Sequence, residues 1–374
     1  MQLAFAKHTH YTRTATEVYG ENGAQLGIMS GMAVGNNKGW IRSVIAHRHG
    51  LPVPYNFSFS PPALAALQNH LGVADVKEAL NLPIRTVSCK SVKPQYASPG
   101  QLGPTIADEF GVVWSTNDID RGSPVTDNAS LALSAPDLRG YRFPDPAAAY
   151  RFEHLALWCS ANREHFTIIW VGDLWERATF MRGMENILLD VAINPEFVRD
   201  LLRRLADCIL QTMEILFARF EFDAIALSDD YGTQRSMLIS PDCWRALIRP
   251  LLAEIVGAAK RRGRIAFLHS CGNVEPIIPD LIDLGLDILH PIQPEAMDIL
   301  ALKRQFGRDL TFCGGLRTQD LLPRGTPDQI RDEVRRLKRD MGAGGGYILE
   351  PGITVQADVP LENMLAMIDE ARKG

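Results

Sequence analysis

A repeated order of elements in the second half of the chain constrains its fold more than any other sequence feature. Short apolar or β-branched runs alternate with polar or glycine-containing turns and then amphipathic helices. Three of these helices have clear start signals at Asn194-Pro195, Ser240-Pro241 and the capping-box pattern Thr326–Gln329. Strands that alternate with such helices predict βαβ units and a parallel sheet. The six strand-like runs are Thr167–Trp175, Ala224–Tyr231, Ile265–Gly272, Ile288–Pro294, Leu310–Leu316 and Tyr347–Glu350.

Two earlier runs, Val53–Phe59 and Ile84–Val92, bring the predicted strands to eight. Eight βα units in one chain favour an α/β fold of the closed (β/α)8 TIM-barrel type over an open doubly wound sheet. Residues 1–50 and 93–160 interrupt the alternation. We interpret the first as an N-terminal extension and the second as an excursion over the barrel mouth that carries a small hairpin. The prediction is one barrel domain over residues 1–374.

Charge and cysteine usage narrow the class of protein. The net charge of −5 argues against a nucleic-acid partner or an anionic membrane surface. The six cysteines have no CxxC spacing, which suits a reducing compartment where thiols persist. The first residues lack the long apolar core of a signal peptide, and no apolar run is long enough for a membrane span. We therefore expect a cytoplasmic protein.

Polar or reactive residues stand where five consecutive predicted strands end. In a βα barrel the active site lies at the carboxyl ends of the strands, so such residues indicate a site at the barrel mouth. The five strand ends are Ser228–Gly232, His269–Asn273, His290–Gln293, Cys313–Gly315 and Glu350–Gly352.

The strongest pair among them is His269 and Cys271. Residues two apart on a strand face the same side, and an imidazole with a thiolate forms half of a typical zinc site. The alternative is a buried cysteine beside a hydrogen-bonded core histidine, but their position at a strand end favours the metal. A third protein ligand is needed, and the sequence leaves it open. The candidates are Cys313, Glu350, Gln293 and His290.

Other polar residues at the same end are candidates for catalysis. Asp229 and Asp230 offer a carboxylate pair for acid–base work or cation binding, although strand alternation sends only one of them into the site. Tyr231 and Gln293 are possible catalytic companions.

Glycine and amide positions at the strand ends suggest contacts to a cofactor. Gly314 and Gly315 lie where barrels often bind phosphate, and Asn273 follows the His269–Cys271 pair. The glycine run Gly342–Gly346 lies at the opposite end of its βα unit, so it is interpreted as a helix terminus.

Several motifs together resemble one family. The likeness extends from about Ile41 to the C-terminus and is strongest after Asp223. It is to the uroporphyrinogen decarboxylase superfamily, and more narrowly to its methyltransferase branch of methylcobamide:coenzyme M methyltransferases and corrinoid O-demethylases. The motifs are His269–Val274, Pro291–Pro294, Phe312–Leu316, Gly325–Pro327 and Asp358–Asn363.

This resemblance implies a (β/α)8 barrel, often a homodimer, with zinc bound through a His-x-Cys pair and a later cysteine. His269 and Cys271 match the pair, but Ile353 stands where the later cysteine would fall. The resemblance also implies a separate corrinoid protein as the methyl carrier.

True decarboxylases of this superfamily hold their substrate's carboxylates with an arginine-rich motif after the first strand. Here that segment, Asn56–Pro62, contains no arginine.

The leading hypothesis is a zinc-dependent methyltransferase. It would move a methyl group between a small methoxy, methylamine or thiol compound and a corrinoid (methylcobalamin) protein. A second hypothesis is a metal-assisted decarboxylase or lyase, in which Asp229 or Asp230 carries the proton chemistry. A third is a non-catalytic corrinoid- or tetrapyrrole-binding protein.

Overall fold

A computed structural model of the protein describes residues 37–92, 97–117 and 123–373. Most of the predicted N-terminal extension, residues 1–36, lies outside the described residues. The strands are β1 (Ile84–Ser88), β2 (Thr105–Ala107), β3 (Val113–Ser115), β4 (Phe166–Gly172), β5 (Ala224–Ser228), β6 (Ile265–His269), β7 (Ile288–Ile292), β8 (Thr311–Leu316) and β9 (Tyr347–Pro351).

Fifteen α-helices accompany these strands in the described part of the chain. They are α1 (Asn37–Ile45), α2 (Pro61–Leu71), α3 (Val76–Ala79), α4 (Pro99–Leu102), α5 (Leu155–Ala161), α6 (Trp175–Arg182), α7 (Met184–Ile193), α8 (Pro195–Arg219), α9 (Pro241–Leu247), α10 (Arg249–Arg261), α11 (Ile278–Asp283), α12 (Ile299–Phe306), α13 (Leu321–Arg324), α14 (Pro327–Asp340) and α15 (Leu361–Arg372). None of them is long and apolar enough to cross a membrane.

Seven parallel strands form one curled sheet in the order β1-β4-β5-β6-β7-β8-β9. The predicted TIM-barrel fold is therefore confirmed. The register aligns Ser228 with His269, and His269 with His290, across β5, β6 and β7. Residues in register on parallel strands lie at the same height, so the carboxyl ends of these strands present their side chains in one layer.

The predicted first strand, Val53–Phe59, is not a continuous strand. Only two isolated parallel bridges join this segment to the last strand and the residues after it, Tyr55 with Leu349 and Phe59 with Val355. Pro54 lacks a backbone N–H, so it cannot donate to a ladder, although its carbonyl accepts from the N–H of Leu349. The segment still occupies the place beside β9.

The predicted excursion contains the expected hairpin, in which β2 and β3 pair antiparallel. Asp108 organises its turn by accepting hydrogen bonds from the N–H groups of Phe110 and Val112. Arg177 of α6 donates to Asp108 at 2.6 Å, which ties the hairpin to the helix that follows β4. The excursion is thereby held at the carboxyl end of the sheet.

An apolar core fills the inside of the curled sheet below the polar layer. Its residues come from successive strands and alternate with residues that face the surrounding helices, as the period of two requires. The buried inward side chains below that layer are Ile84, Phe166, Ile168, Ala224, Ala226, Phe267, Ile288 and Ile348.

Candidate metal centre

The inward layer at the carboxyl ends of the strands is polar, in contrast to the apolar layers below it. It brings His269 of β6 beside His290 of β7, with ring centroids 4.9 Å apart. The Trp170 ring of β4 meets His269 edge-on at 6.2 Å. Apolar side chains fill the sheet beneath this layer, so its polar groups face the barrel mouth.

Asp230, His269 and Cys271 form a first cluster of ligand atoms, here called the outer triad. Their nitrogen, sulfur and oxygen atoms all lie within 4.8 Å of one another. His269 Nε2 is 3.3 Å from Cys271 Sγ and 3.5 Å from Asp230 Oδ1. All three residues are half-buried, so the cluster faces the mouth.

The backbone fixes the carboxylate of the outer triad. Asp230 Oδ1 accepts a hydrogen bond from the N–H of Cys271 at 2.7 Å. Burial raises the pKa of Asp230, but the His269 imidazole and this N–H outweigh it and hold the pKa below its ordinary value. The carboxylate is therefore ionised beside the imidazole and the thiol.

His290, Cys313 and Glu350 form a second, more buried cluster, here called the inner triad. The Cys313 thiol donates to Glu350 Oε2 at 3.2 Å, and His290 Nε2 lies 4.0 Å from the same oxygen. Asn56 donates to the other oxygen, Oε1, at 3.0 Å. Burial raises the pKa of Glu350 to about 7, and burial together with Glu350 raises that of Cys313 well above its ordinary value.

One short contact joins the two triads. His269 Nδ1 and His290 Nδ1 are 2.8 Å apart, so one proton must lie between them. His290 Nε2 is buried and has no hydrogen-bond partner among the described residues. Burial first, and then the charge of His269, lower the pKa of His290 well below its ordinary value, so that imidazole is neutral.

The aspartate pair divides as strand alternation predicts. Asp230 enters the outer triad, whereas Asp229 is fully buried beneath it. Asp229 Oδ1 accepts from the N–H groups of Leu174 and Glu176, and its Oδ2 accepts from the Tyr231 hydroxyl at 2.7 Å. Asp229 and Tyr231 thus anchor the start of α6 to the loop after β5.

Close backbone packing sets the two loops that carry Asp230 and Cys271. Gly272 has a φ of +80°, and a Cβ there would lie 2.4 Å from the carbonyl carbon of Gly232. Gln293, a predicted site residue, accepts from the N–H of Gly272 at 2.8 Å. The close packing of Gly272 and its hydrogen bond to Gln293 both hold the neighbouring Cys271 in place. Gln293 therefore supports the site by fixing the backbone at Gly272.

Asn273, Gly314 and Gly315, which the sequence predicted to contact a cofactor, have structural contacts of their own, and the cofactor contact stays a prediction. The Asn273 side chain accepts from the N–H of Glu275, the first residue of the short 3-10 helix Glu275–Ile277. Gly314 and Gly315 are buried within β8. A Cβ on Gly314 would lie 3.0 Å from the Ile292 nitrogen, so close strand packing accounts for the glycine there.

Glu176 is a residue of this region that the sequence analysis missed. Its Oε2 accepts a hydrogen bond from the Ser228 hydroxyl at 2.9 Å. Burial, followed by the charges of Asp230, Asp173 and Asp229, raises the pKa of Glu176 to about 8. It is therefore protonated at neutral pH. A signal was present, because Glu176 directly follows the predicted strand Thr167–Trp175, but only the ends of the five later strands were considered.

Comparison with known proteins agrees with this architecture. Residues 105–374 match the sequence model of the family described as Uroporphyrinogen decarboxylase (URO-D). The chain also resembles a solved structure described as a methyltransferase from Methanosarcina mazei, with a TM-score of 0.64 and 17% identity. That similarity covers 90% of this chain and 98% of the other, and it supports the fold.

Of three curated relatives, two are named as methyltransferases and one as a uroporphyrinogen decarboxylase. A methylcobamide:CoM methyltransferase MtaA of Methanosarcina barkeri is 27% identical over 39% of this chain and 40% of its own. A methylated-thiol–coenzyme M methyltransferase of Methanosarcina mazei is 24% identical over 51% and 48%. A uroporphyrinogen decarboxylase of Methylococcus capsulatus is 25% identical over 63% and 68%. The matches thus span less than half the length of either methyltransferase.

Proposed function

The chain belongs to the uroporphyrinogen decarboxylase family, and we propose that within it this protein is a zinc-dependent methyltransferase. It moves a methyl group between a small methoxy, methylamine or thiol compound and a corrinoid carried by a partner protein. The observation that carries the proposal is the outer triad, in which the Asp230 carboxylate lies beside the pair His269 and Cys271. The names of two relatives support methyl transfer as the reaction class.

The donor atoms of the outer triad fit zinc. Imidazole nitrogen, thiolate sulfur and carboxylate oxygen are its usual protein ligands, and three of them leave one position for substrate. Asp230 supplies the third donor, a role that Ile353 cannot fill with its apolar side chain, which is 42% exposed. A zinc ion held by these residues would lower the pKa of a substrate thiol or polarise a substrate oxygen.

Trp170 and Glu176 lie beside the proposed zinc ligands, where one restricts a ligand and the other can supply a proton. Trp170 lies edge-on against His269 and limits the positions of that imidazole. Glu176 keeps a proton on its carboxyl group at neutral pH, beside Ser228. When a methyl group leaves an oxygen or nitrogen, that atom gains an electron pair and needs a proton, which Glu176 can give.

The charges of the site favour methyl transfer over porphyrinogen decarboxylation. Several carboxylates of a porphyrinogen would need cationic partners. Asn56 of the first barrel segment instead donates to Glu350, and Arg177 near the mouth is neutralised by Asp108 and Asp173. Arg177 is thus already paired with two carboxylates and is not free to bind a carboxylate of the substrate.

Two parallel assays on the purified full-length chain test the proposal. The first follows the loss of methylcobalamin absorbance with 2-mercaptoethanol as acceptor, before and after zinc is removed and restored. The second measures release of carbon dioxide from uroporphyrinogen. We expect zinc-dependent demethylation and no carbon dioxide.

Matched cysteine variants connect the activity to the site. Cys271→Ser should abolish demethylation, whereas Cys159→Ser in α5, which precedes β4 and so lies toward the opposite end of the sheet, should not. Carbon dioxide release would favour the decarboxylase alternative. Tight corrinoid binding without turnover would favour the binding-protein alternative.

A further inference from the structure

We propose that the inner triad of His290, Cys313 and Glu350 is a second site for a thiophilic divalent cation, and that it and the outer triad exclude each other. One cation per chain would then be distributed between two positions. This goes beyond the proposed function, which requires a cation at the outer triad alone.

The inner triad already has the composition and closeness of a cation site. It offers one nitrogen, one sulfur and one carboxylate oxygen within 4.8 Å of one another. The three side chains come from the adjacent strands β7, β8 and β9, so a hydrogen-bonded sheet fixes their spacing. Zinc, cobalt and related divalent ions accept this mixed set of donors.

The surrounding contacts direct these donors toward one point. Asn56 occupies Oε1 of Glu350, which leaves Oε2 facing Cys313 at 3.2 Å and His290 at 4.0 Å. His290 is only 8% exposed. Its Nε2 atom is fully buried without a hydrogen-bond partner among the described residues.

An unpaired buried nitrogen is costly, so the orphaned Nε2 atom needs an explanation. A cation between His290, Cys313 and Glu350 supplies the missing partner. On binding, the thiol proton of Cys313 leaves to bulk water and a bond from sulfur to the cation forms in its place. The buried carboxylate then faces a positive charge, which offsets the cost of its burial.

The contact between the two imidazoles makes the sites exclusive. When both imidazoles are neutral, each has one proton, and the 2.8 Å contact places one of these protons between the two Nδ1 atoms. The ring that donates has a bare Nε2 and can bind a cation. The ring that accepts must carry its own proton on Nε2 and cannot. A cation at His269 therefore blocks His290, and a cation at His290 blocks His269.

The blocked imidazole faces a carboxylate oxygen in each state. With the cation in the outer triad, the N–H at His290 Nε2 faces Glu350. With the cation in the inner triad, the N–H at His269 Nε2 faces Asp230 at 3.5 Å. Each triad thus places a carboxylate beside its own histidine when the other holds the cation.

Titration of the chelator-treated full-length chain with Co²⁺ tests this proposal. Thiolate-to-cobalt absorbance counts the cysteine ligands, and elemental analysis counts the ions. We expect one equivalent in the wild type, and one equivalent with a thiolate band in both Cys271→Ser and Cys313→Ser. The double variant should lose the band. Circular dichroism checks that each variant is folded.

Glu350→Gln provides a second variant of nearly identical shape. Introduced into Cys271→Ser, it should weaken cobalt binding, whereas Glu295→Gln in the same background should not.

Two equivalents of cobalt bound to the wild type would overturn the mutual exclusion of the two sites. Loss of all cobalt from Cys271→Ser would overturn the inner site and leave the proposed function intact. Loss of all cobalt from Cys313→Ser alone would overturn both.

Discussion

His269 and His290 face each other Nδ1 to Nδ1 at 2.8 Å, and this contact organises the polar end of the barrel. A metal-binding histidine commonly donates its other ring N–H to a fixed acceptor, which sets its tautomer. When His269 binds the cation, His290 provides that acceptor. The free Nε2 of His269 then faces Cys271 and Asp230.

Asp230→Asn should weaken zinc binding by at least the roughly 10- to 100-fold that loss of a ligand's supporting partner costs, because the outer triad loses its charged oxygen donor. The amide oxygen can still accept from the N–H of Cys271, so the loop should keep its conformation. Competition with a chromophoric zinc chelator measures the affinity. Asp283→Asn at the exposed end of α11 is the matched control. Equal affinities in the two variants would remove Asp230 from the ligand set.

Gly272→Ala should disrupt both loops of the outer triad. A Cβ there would lie 2.4 Å from Gly232 in addition to the strain of a φ of +80°. Gly263→Ala is the control, because its φ is +64° and its Cβ would meet nothing within 4 Å. Urea unfolding should show a loss of about 1–2 kcal/mol for Gly263→Ala and a clearly larger loss for Gly272→Ala. Similar losses would mean that the close packing is unimportant.

Methyl transfer from an oxygen or nitrogen donor should slow as the pH rises through about 8. The reason is that Glu176, whose pKa burial raises to about 8, loses the proton that the leaving atom needs. Glu176→Gln should remove this alkaline limb and lower the rate throughout. The pH profile of kcat measures both effects. A limb that persists in Glu176→Gln would assign it to another group.

The metal-free protein should become less stable as the pH rises from about 4.5 to about 7. Glu350 keeps its proton in the folded state up to about pH 7, whereas the unfolded chain releases it near the ordinary value of 4.5. The folded state therefore binds more protons in this window, and the free energy of unfolding falls as the pH rises. Urea unfolding of chelated protein at several pH values measures the slope. Glu350→Gln should flatten it, and an unchanged slope would contradict the assignment.

The sequence predicted the barrel and the pair at its centre because both depend on local periodicity. Period two places His269 and Cys271 on one face of a strand, and it also predicts that only one of Asp229 and Asp230 enters the site. The structure brings Asp230 to the pair and buries Asp229. These results follow from patterns within a few residues.

Which side chains of different strands come together could not be predicted from such local patterns. Cys313 and Glu350 were candidates to complete the pair of His269 and Cys271, but the structure groups them with His290 in the inner triad. That grouping depends on the register of β7, β8 and β9, which no single segment encodes. Tyr231 was a catalytic candidate, yet packing buries its ring and leaves its hydroxyl on Asp229.

X-ray absorption at the zinc edge of the wild-type protein tests the central claim most directly, since it counts the sulfur atoms bound to zinc. Both triads offer one cysteine, so the account predicts one sulfur at about 2.3 Å with the remaining ligands nitrogen or oxygen. Two sulfur ligands would mean that Cys271 and Cys313 bind one ion together, and that result, or a spectrum without sulfur, would contradict the account.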